Sequence, residues 1–194
     1  MENDVVRNLL IGASVSVPFV GGVLSLILDK SIPSYIKNQY ERFVEEIEFE
    51  LDRLSRDINQ CNIESPEFIS ICYKVLQNVV VEYYEEKRMA YKNILLNTII
   101  DTFNTNTVDY YIKLVDMLSI EQFRVLNYLY LEKKQDRNCS IYLKQLRREN
   151  LENKFYITSM ISELARLILI TNGTISNLGF GFCEFINSPQ NIYK

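Results

Sequence analysis

For most of its length the chain alternates hydrophobic and polar positions with a helical period. Between Ser34 and Asn59 the apolar residues Ile36, Tyr40, Phe43, Ile47, Leu51, Leu54 and Ile58 recur in steps of three and four. Such spacing predicts a long helix with one stripe that must be buried. The other side carries Glu45, Glu46, Glu48, Glu50, Asp52, Arg53, Arg56 and Asp57, which reads as a solvated face, with Asp52 and Arg56 one turn apart. Ser31 and Pro33 mark the break before it. "ESPEF" predicts the next start, because the Ser65 hydroxyl can accept from backbone N–H groups of the first turn and Pro66 lacks a donor where none is needed. Phe68, Cys72, Val75, Val79 and Tyr83 form the inward line of that helix. The stripe changes phase near Tyr84, and a further helix runs to about Phe103 with Tyr91, Ile94, Leu95, Thr98 and Ile99 inward.

"NTNT", Asn104 to Thr107, predicts a polar loop ahead of a short helix "VDYYIKLVDML". Ser119, with Gln122 three positions on, predicts a reciprocal cap for "IEQFRVLNYLYLEKK". Beyond Asn138, "SIYLKQLRRE" and "FYITSMISELARL" read as two helices, and "LILITNGTISNLGFGFCEFI" places Asn172-Gly173 between apolar, β-branched runs, a hairpin signal. Three helices and then a hairpin is the order of a winged helix, from about Ser119 to Asn187. The expected fold is therefore mainly α: an apolar N-terminal helical hairpin over 1–30, a helical bundle over 31–118, and a winged-helix-like α+β region over 119–194.

The N-terminal element differs in kind from the rest. From Asn8 to Leu28 twenty-one residues carry no charge, bounded by Arg7 and Asp29. As one helix they would span about 30 Å, the hydrocarbon thickness of a bilayer. Pro18 interrupts that helix by disfavouring helical geometry at Val17 and removing a donor, and Gly21 and Gly22 loosen the next turn, so "PFVGG" reads as a corner. The two pieces, Val5 to Val17 and Val20 to Leu28, are each too short to span. The readings are a buried helical hairpin, a re-entrant hairpin and an interfacial element. Leu9, Leu10, Ile11, Val17, Pro18, Phe19, Val20, Gly21, Gly22, Leu24, Leu26, Ile27 and Leu28 are its candidate residues. Glu2 and Asp4 oppose the basic start of a secretory signal, and no small-residue cleavage site comes after the run. Lys30, Lys37 and Arg42 beyond it favour the body on the cytoplasmic side of any membrane it meets.

Composition narrows the chemistry. With 194 residues, 47% of them hydrophobic, the chain has material for one substantial domain or two small ones. It contains no histidine, which removes the usual general base, the Ser-His and Cys-His nucleophile pairs and most catalytic zinc sites. Cys61, Cys72, Cys139 and Cys183 show no CxxC spacing and sit among apolar neighbours, as reduced, buried thiols of a cytoplasmic protein do. Glu45, Glu48 and Asp52 share one straight helix face, which cannot surround a cation, so no metal is expected there. "EEK" at Glu85 to Lys87 and "EKK" at Glu132 to Lys134 have a spacing used by metal-dependent nucleases on strands, but both fall on predicted helices. No phosphate-cradling glycine loop is present, and no cofactor, catalytic residue or small-molecule substrate is expected.

The net charge of −4 hides an acidic 1–136 and a basic 137–194. A nucleic-acid contact would use Lys144, Arg147, Arg148, Lys154 and Arg166, although the second helix of the turn offers few of the side chains that read base edges. A protein partner or self-association through the long Ile36–Ile58 stripe is the expected interaction, ahead of nucleic acid.

Taken in order, "PFVGGVLSLIL", "IPSYIKNQYERFVEEIEFELDRL", "EEKRMAYKNILLNTI", "YIKLVDMLSIEQFRVLNYLY" and "SNLGFGFCEFI" resemble small bacterial proteins of the abortive-infection alpha type, covering most of the chain. Such proteins begin with a Pro-Gly-Gly corner in an apolar stretch and end in a winged-helix-like region with "LTxxG" before an aromatic-rich segment. Here Ser176 and Asn177 precede Leu178 and Gly179, without the Leu-Thr. The resemblance implies a non-enzymatic effector or regulator in defence against phage, membrane-directed or protein-binding at its N-terminus, in the cytoplasm or at the inner face of the cell membrane. It transfers no catalytic residues.

Overall fold

The computed structural model describes residues 34–54, 65–100, 104–135 and 154–187. Among them are seven helices and one two-stranded antiparallel sheet: α1 (Ser34–Leu54), α2 (Pro66–Val79), α3 (Glu85–Ile100), α4 (Thr105–Met117), α5 (Ile120–Lys134), α6 (Lys154–Arg166), β1 (Ile170–Thr171), β2 (Thr174–Ile175) and α7 (Asn177–Asn187). The protein is mainly helical, as its periodicity predicts. The chain divides into two compact units between Lys113 and Leu114, within α4. The apolar run at 8–28, residues 55–59 of the expected first helix, the end of the third at 101–103, and "SIYLKQLRRE" lie outside the described residues.

In the N-terminal unit α1 packs on both α2 and α3, and α2 packs on α3. Of the predicted α1 stripe, Phe43 and Ile47 are fully buried; Ile36, Tyr40, Leu51 and Leu54 lie on the helix with side chains outside those described, and Ile58 lies outside the described residues. α2 starts where Ser65 and Pro66 predict: Ser65 is extended, and its Oγ accepts from the Phe68 N–H at 3.1 Å. Phe68, Cys72, Val75 and Val79 are buried as expected, joined by Ile71 and Leu76. Tyr83 is not: it is almost fully exposed. The helix has already ended at Val79, and the Glu82 carboxylate accepts the Tyr84 N–H at 2.8 Å, so the next helical turn that would have carried Tyr83 inward is never made. All five inward positions predicted on α3, from Tyr91 to Ile99, are buried.

"NTNT" is not a loop. Asn104 Oδ1 accepts from the N–H groups of Asn106 and Thr107 at 3.0 and 3.3 Å, so the polar residues form the cap and first turn of α4. Asparagine satisfies orphan helix donors as well as it makes a turn, and composition does not separate the two uses.

The C-terminal unit is built around α5, against which α6, β2 and α7 pack, with β1 against α6. The predicted reciprocal cap is present: Ser119 Oγ accepts from the Gln122 N–H at 3.2 Å, and Gln122 Oε1 accepts from the Ser119 N–H at 2.8 Å. The hairpin forms at Asn172-Gly173, both with positive φ, but each strand has only two residues, paired Ile170 to Ile175 and Thr171 to Thr174. The expected continuation of the second apolar run as strand is overturned, since "NLGFGFCEFIN" is α7. Ser176 diverts it, its Oγ accepting from the Gly179 N–H at 2.9 Å and its C=O from the Phe180 N–H at 2.8 Å. Beyond Gly179 the helix buries Phe182, Cys183, Phe185 and Ile186, a helical spacing rather than a period of two.

α6 ends in a Schellman motif, the Leu169 N–H donating to the Leu164 C=O and the Ile168 N–H to the Ala165 C=O, both at 3.0 Å. The left-handed position of that motif, usually glycine, holds Ile168 at φ 59, a strained choice for a β-branched residue. Ile168 is 60% exposed and has little burial to lose. Ile168→Gly is therefore expected to stabilise the C-terminal unit by about 1 kcal/mol, the relief of strain exceeding the entropy glycine adds to the unfolded chain. Urea unfolding checks this, and a lower midpoint for the variant would contradict it.

Candidate functional site

The most unusual chemistry among the described residues is on α3. Placed against both α1 and α2, this helix is exposed at Glu85, Glu86 and Met89 but buried on every side from Ala90 to Ile99, and several charged and polar positions are inside: Lys87, Arg88, Lys92, Asn93 and Asn97. Long basic side chains tolerate this when their stems pack and their heads meet carboxylates. Here the Lys87 Nζ lies 3.7 Å from Glu82 Oε2, the Arg88 Nη2 3.6 Å from Glu46 Oε1, and the Lys92 Nζ 3.9 Å from Glu50 Oε1. Arg88 Nη1 also donates to Gln39 Oε1 at 3.0 Å and lies 3.9 Å from Glu85 Oε2.

The register of these pairs orients the helices. Glu46 to Glu50 and Arg88 to Lys92 both advance by one turn, so α1 and α3 run in the same direction. A separate ion pair, Lys74 Nζ to both oxygens of Asp109 at 2.8 and 2.6 Å, ties α2 to α4 within the same unit.

Glu46 and Glu50 were expected on a solvated face. They are instead only 26% and 20% exposed at the side chain, because α1 has two helical neighbours and its charged flank closes the contact with the second. Each is also held by an arginine of its own helix: Arg42 Nε donates to Glu46 Oε1 at 3.2 Å, and Arg53 Nε and Nη2 reach Glu50 Oε2 at 2.9 and 2.7 Å. The cluster thus contains two carboxylates, each divided between an exposed arginine and a buried cation.

No protein-family model, curated protein or solved structure matches the chain.

Of the residues singled out in the sequence, Leu9, Leu10, Ile11, Val17, Pro18, Phe19, Val20, Gly21, Gly22, Leu24, Leu26, Ile27 and Leu28 lie outside the described residues, as do Lys144, Arg147 and Arg148. No described helix is long and apolar enough to cross a membrane. Lys154 is the first residue of α6 and Arg166 the last. Arg166 is committed to Glu163 through two hydrogen bonds, Nη2 to Oε1 at 2.6 Å and Nε to Oε2 at 2.9 Å. Those bonds raise the arginine's pKa and lower the glutamate's, and the pair presents little net charge to a phosphate. The exposed side of α6 carries Phe155, Tyr156, Thr158, Ser159 and Ser162, and Tyr156 Oη donates to Glu121 Oε2 at 3.3 Å. This is an aromatic and hydroxyl surface rather than a basic one.

Glu85 to Lys87 and Glu132 to Lys134 both lie on helices, as the sequence predicts. Among the described residues no group of three His, Cys, Asp or Glu side chains is placed to hold a metal ion. Cys72 and Cys183 are buried free thiols, and burial pushes both well above the usual thiol range, so neither is a ready nucleophile. Sequence reasoning missed Arg88 and Lys92. The signal available was the pairing of two four-residue spacings of opposite charge, Glu46/Glu50 and Arg88/Lys92, on separate helices.

Proposed function

We propose that this protein is a non-enzymatic effector or regulator of bacterial antiphage defence of the abortive-infection alpha type. It acts through membrane association or protein binding by its apolar N-terminal segment, under control of the helical body, in the cytoplasm or at the inner face of the cell membrane. The observation that carries the reading is the attachment of α1. This helix starts at Ser34, a few residues after the uncharged run ends at Leu28, and its polar contacts with α3 include one Arg88–Gln39 hydrogen bond and the Glu46–Arg88 and Glu50–Lys92 ion pairs, both beyond hydrogen-bonding distance. Ionic contacts of that kind change strength with their surroundings far more than apolar packing does. An element next to the apolar segment is thus held in part, beside the buried Phe43 and Ile47, by an adjustable connection. The order α5, α6, β1, β2 supports a winged-helix-like C-terminal unit. In this unit the exposed Phe155 and Tyr156 fit a protein contact better than a nucleic-acid one.

Flotation of the full-length protein with anionic liposomes at low and high salt, beside a chain lacking residues 1–30, tests the reading. Salt-resistant flotation that needs residues 1–30 is the expected result for a membrane-directed segment. If neither chain floats, a protein partner of the segment is the remaining route. The reading as a whole fails if residues 1–30 can be deleted without loss of either toxicity or phage protection in cells.

A further inference from the structure

Among the described residues, Arg88 has two buried donors without a hydrogen-bond partner. Its side chain is 7% exposed, and the two, Nε and Nη2, are the donors along one edge of the guanidinium. That edge is the one that takes a carboxylate with two parallel bonds. The carboxylate is close by: Glu46 Oε1 lies 3.6 Å from Nη2 but 3.2 Å from Nε of Arg42, which is 66% exposed. Glu50 repeats the arrangement one turn on. It makes its short contacts to Arg53, 58% exposed, and stays 3.9 Å from the buried Lys92. In both places a surface arginine holds a glutamate away from a buried cation that it could satisfy by a small movement.

We propose that α1 carries a two-point electrostatic clasp in which Arg42 and Arg53 compete with Arg88 and Lys92 for Glu46 and Glu50, and that neutralising the two surface arginines tightens α1 on α3. The direction is opposite to that of an ordinary surface salt bridge, whose loss costs a little stability or nothing. Here the loss frees each carboxylate to complete a buried, charge-assisted contact, a stronger interaction than the one given up. Salt acts in the same sense, because counter-ions screen the exposed Arg42 and Arg53 contacts more than the buried ones. The proposal bears on the control step of the function argued above, but the clasp itself is read from α1 and its contacts with α3 alone.

The test is amide hydrogen exchange of residues 34–54 in the full-length protein. The Arg42→Gln/Arg53→Gln variant is expected to exchange about tenfold more slowly than wild type over these residues, on the scale of gaining one charge-assisted hydrogen bond. Raising the salt concentration slows exchange in the wild type and has little effect in that variant. Glu46→Gln/Glu50→Gln speeds exchange, and adding the arginine substitutions to it changes nothing further, since there is no carboxylate left to compete for. The proposal is overturned if the arginine variant exchanges as fast as wild type or faster, or if salt speeds exchange of α1 in the wild type. The wild-type salt series requires no substitution. Because α1 exchange is read without a membrane, failure of the clasp and failure of liposome flotation are separate results.

Discussion

Gly179→Ala is expected to cost the C-terminal unit about 3 kcal/mol or more, enough to remove much of the stability of a domain this small. A Cβ added at Gly179 would collide with the backbone oxygen of Leu169 and stand 2.9 Å from Ile175 Cγ1. Neither neighbour is free to withdraw. The Leu169 C=O already accepts the Ser176 N–H at 3.0 Å, the bond that closes the hairpin against the start of α7, and Ile175 is buried in β2. Moving α7 outward instead would open the contacts of Phe182, Phe185 and Ile186, and release the Gly179 N–H from Ser176 Oγ. The gain from a better helix former at one position, about 1 kcal/mol, does not offset that. Urea unfolding gives the cost, and accelerated amide exchange over 180–186 locates it. A variant as stable as wild type would mean that hairpin and helix are not in contact at Gly179.

This contact also shows how far the sequence could be read. The Asn-Gly turn is a local signal and is where it was expected, because the left-handed conformation of both residues is decided by their own chemistry. The path of the chain after the turn was decided by a non-local fact: only a residue without a side chain can pass Leu169, and the aromatic residues beyond it have α5 to pack on. In "LGFGFCEFI" the apolar positions are so dense that a period of two and a period of 3.6 are both satisfied, and Ser176 as a cap is what selects helix. Helix starts elsewhere were legible for the same local reason. Ser65-Pro66 and Ser119–Gln122 act through bonds within four residues, whereas Asn104 is chemically able to make either turn or cap.

Burial of charge was the least legible feature. A stripe of apolar residues tells which side of α1 meets one neighbour, and Phe43 and Ile47 obey it. It does not tell that a second neighbour lies against the charged flank, which is how Glu46 and Glu50 come to face Arg88 and Lys92. On α3 the polar residues are not segregated from the apolar ones at all, so periodicity marks its inward line from Tyr91 to Ile99 and is silent on the buried Lys87, Arg88 and Lys92. Where a helix is buried on every side, as α3 is from Ala90 to Ile99, its sequence shows no contrast to read.

The same arrangement makes removal of either end of one ion pair unequal. Glu50→Ala is expected to destabilise the N-terminal unit by about 2 kcal/mol, below the roughly 3–5 kcal/mol of a fully buried pair because Glu50 is one-fifth exposed. The reason is what remains: Lys92, 8% exposed, keeps its charge in the interior with its carboxylate gone, and Arg53 loses its partner as well. Lys92→Met should cost under about 1 kcal/mol, since the thioether fills the place of the lysine stem while Glu50 keeps its 2.7 Å contact with Arg53 and its share of solvent. The double variant Glu50→Ala/Lys92→Met should recover most of the loss, as it leaves no buried charge unpaired. Chemical unfolding of the three variants provides the comparison. Equal costs for the two single substitutions would mean that Lys92 does not depend on Glu50, and that this ion pair does not hold α1.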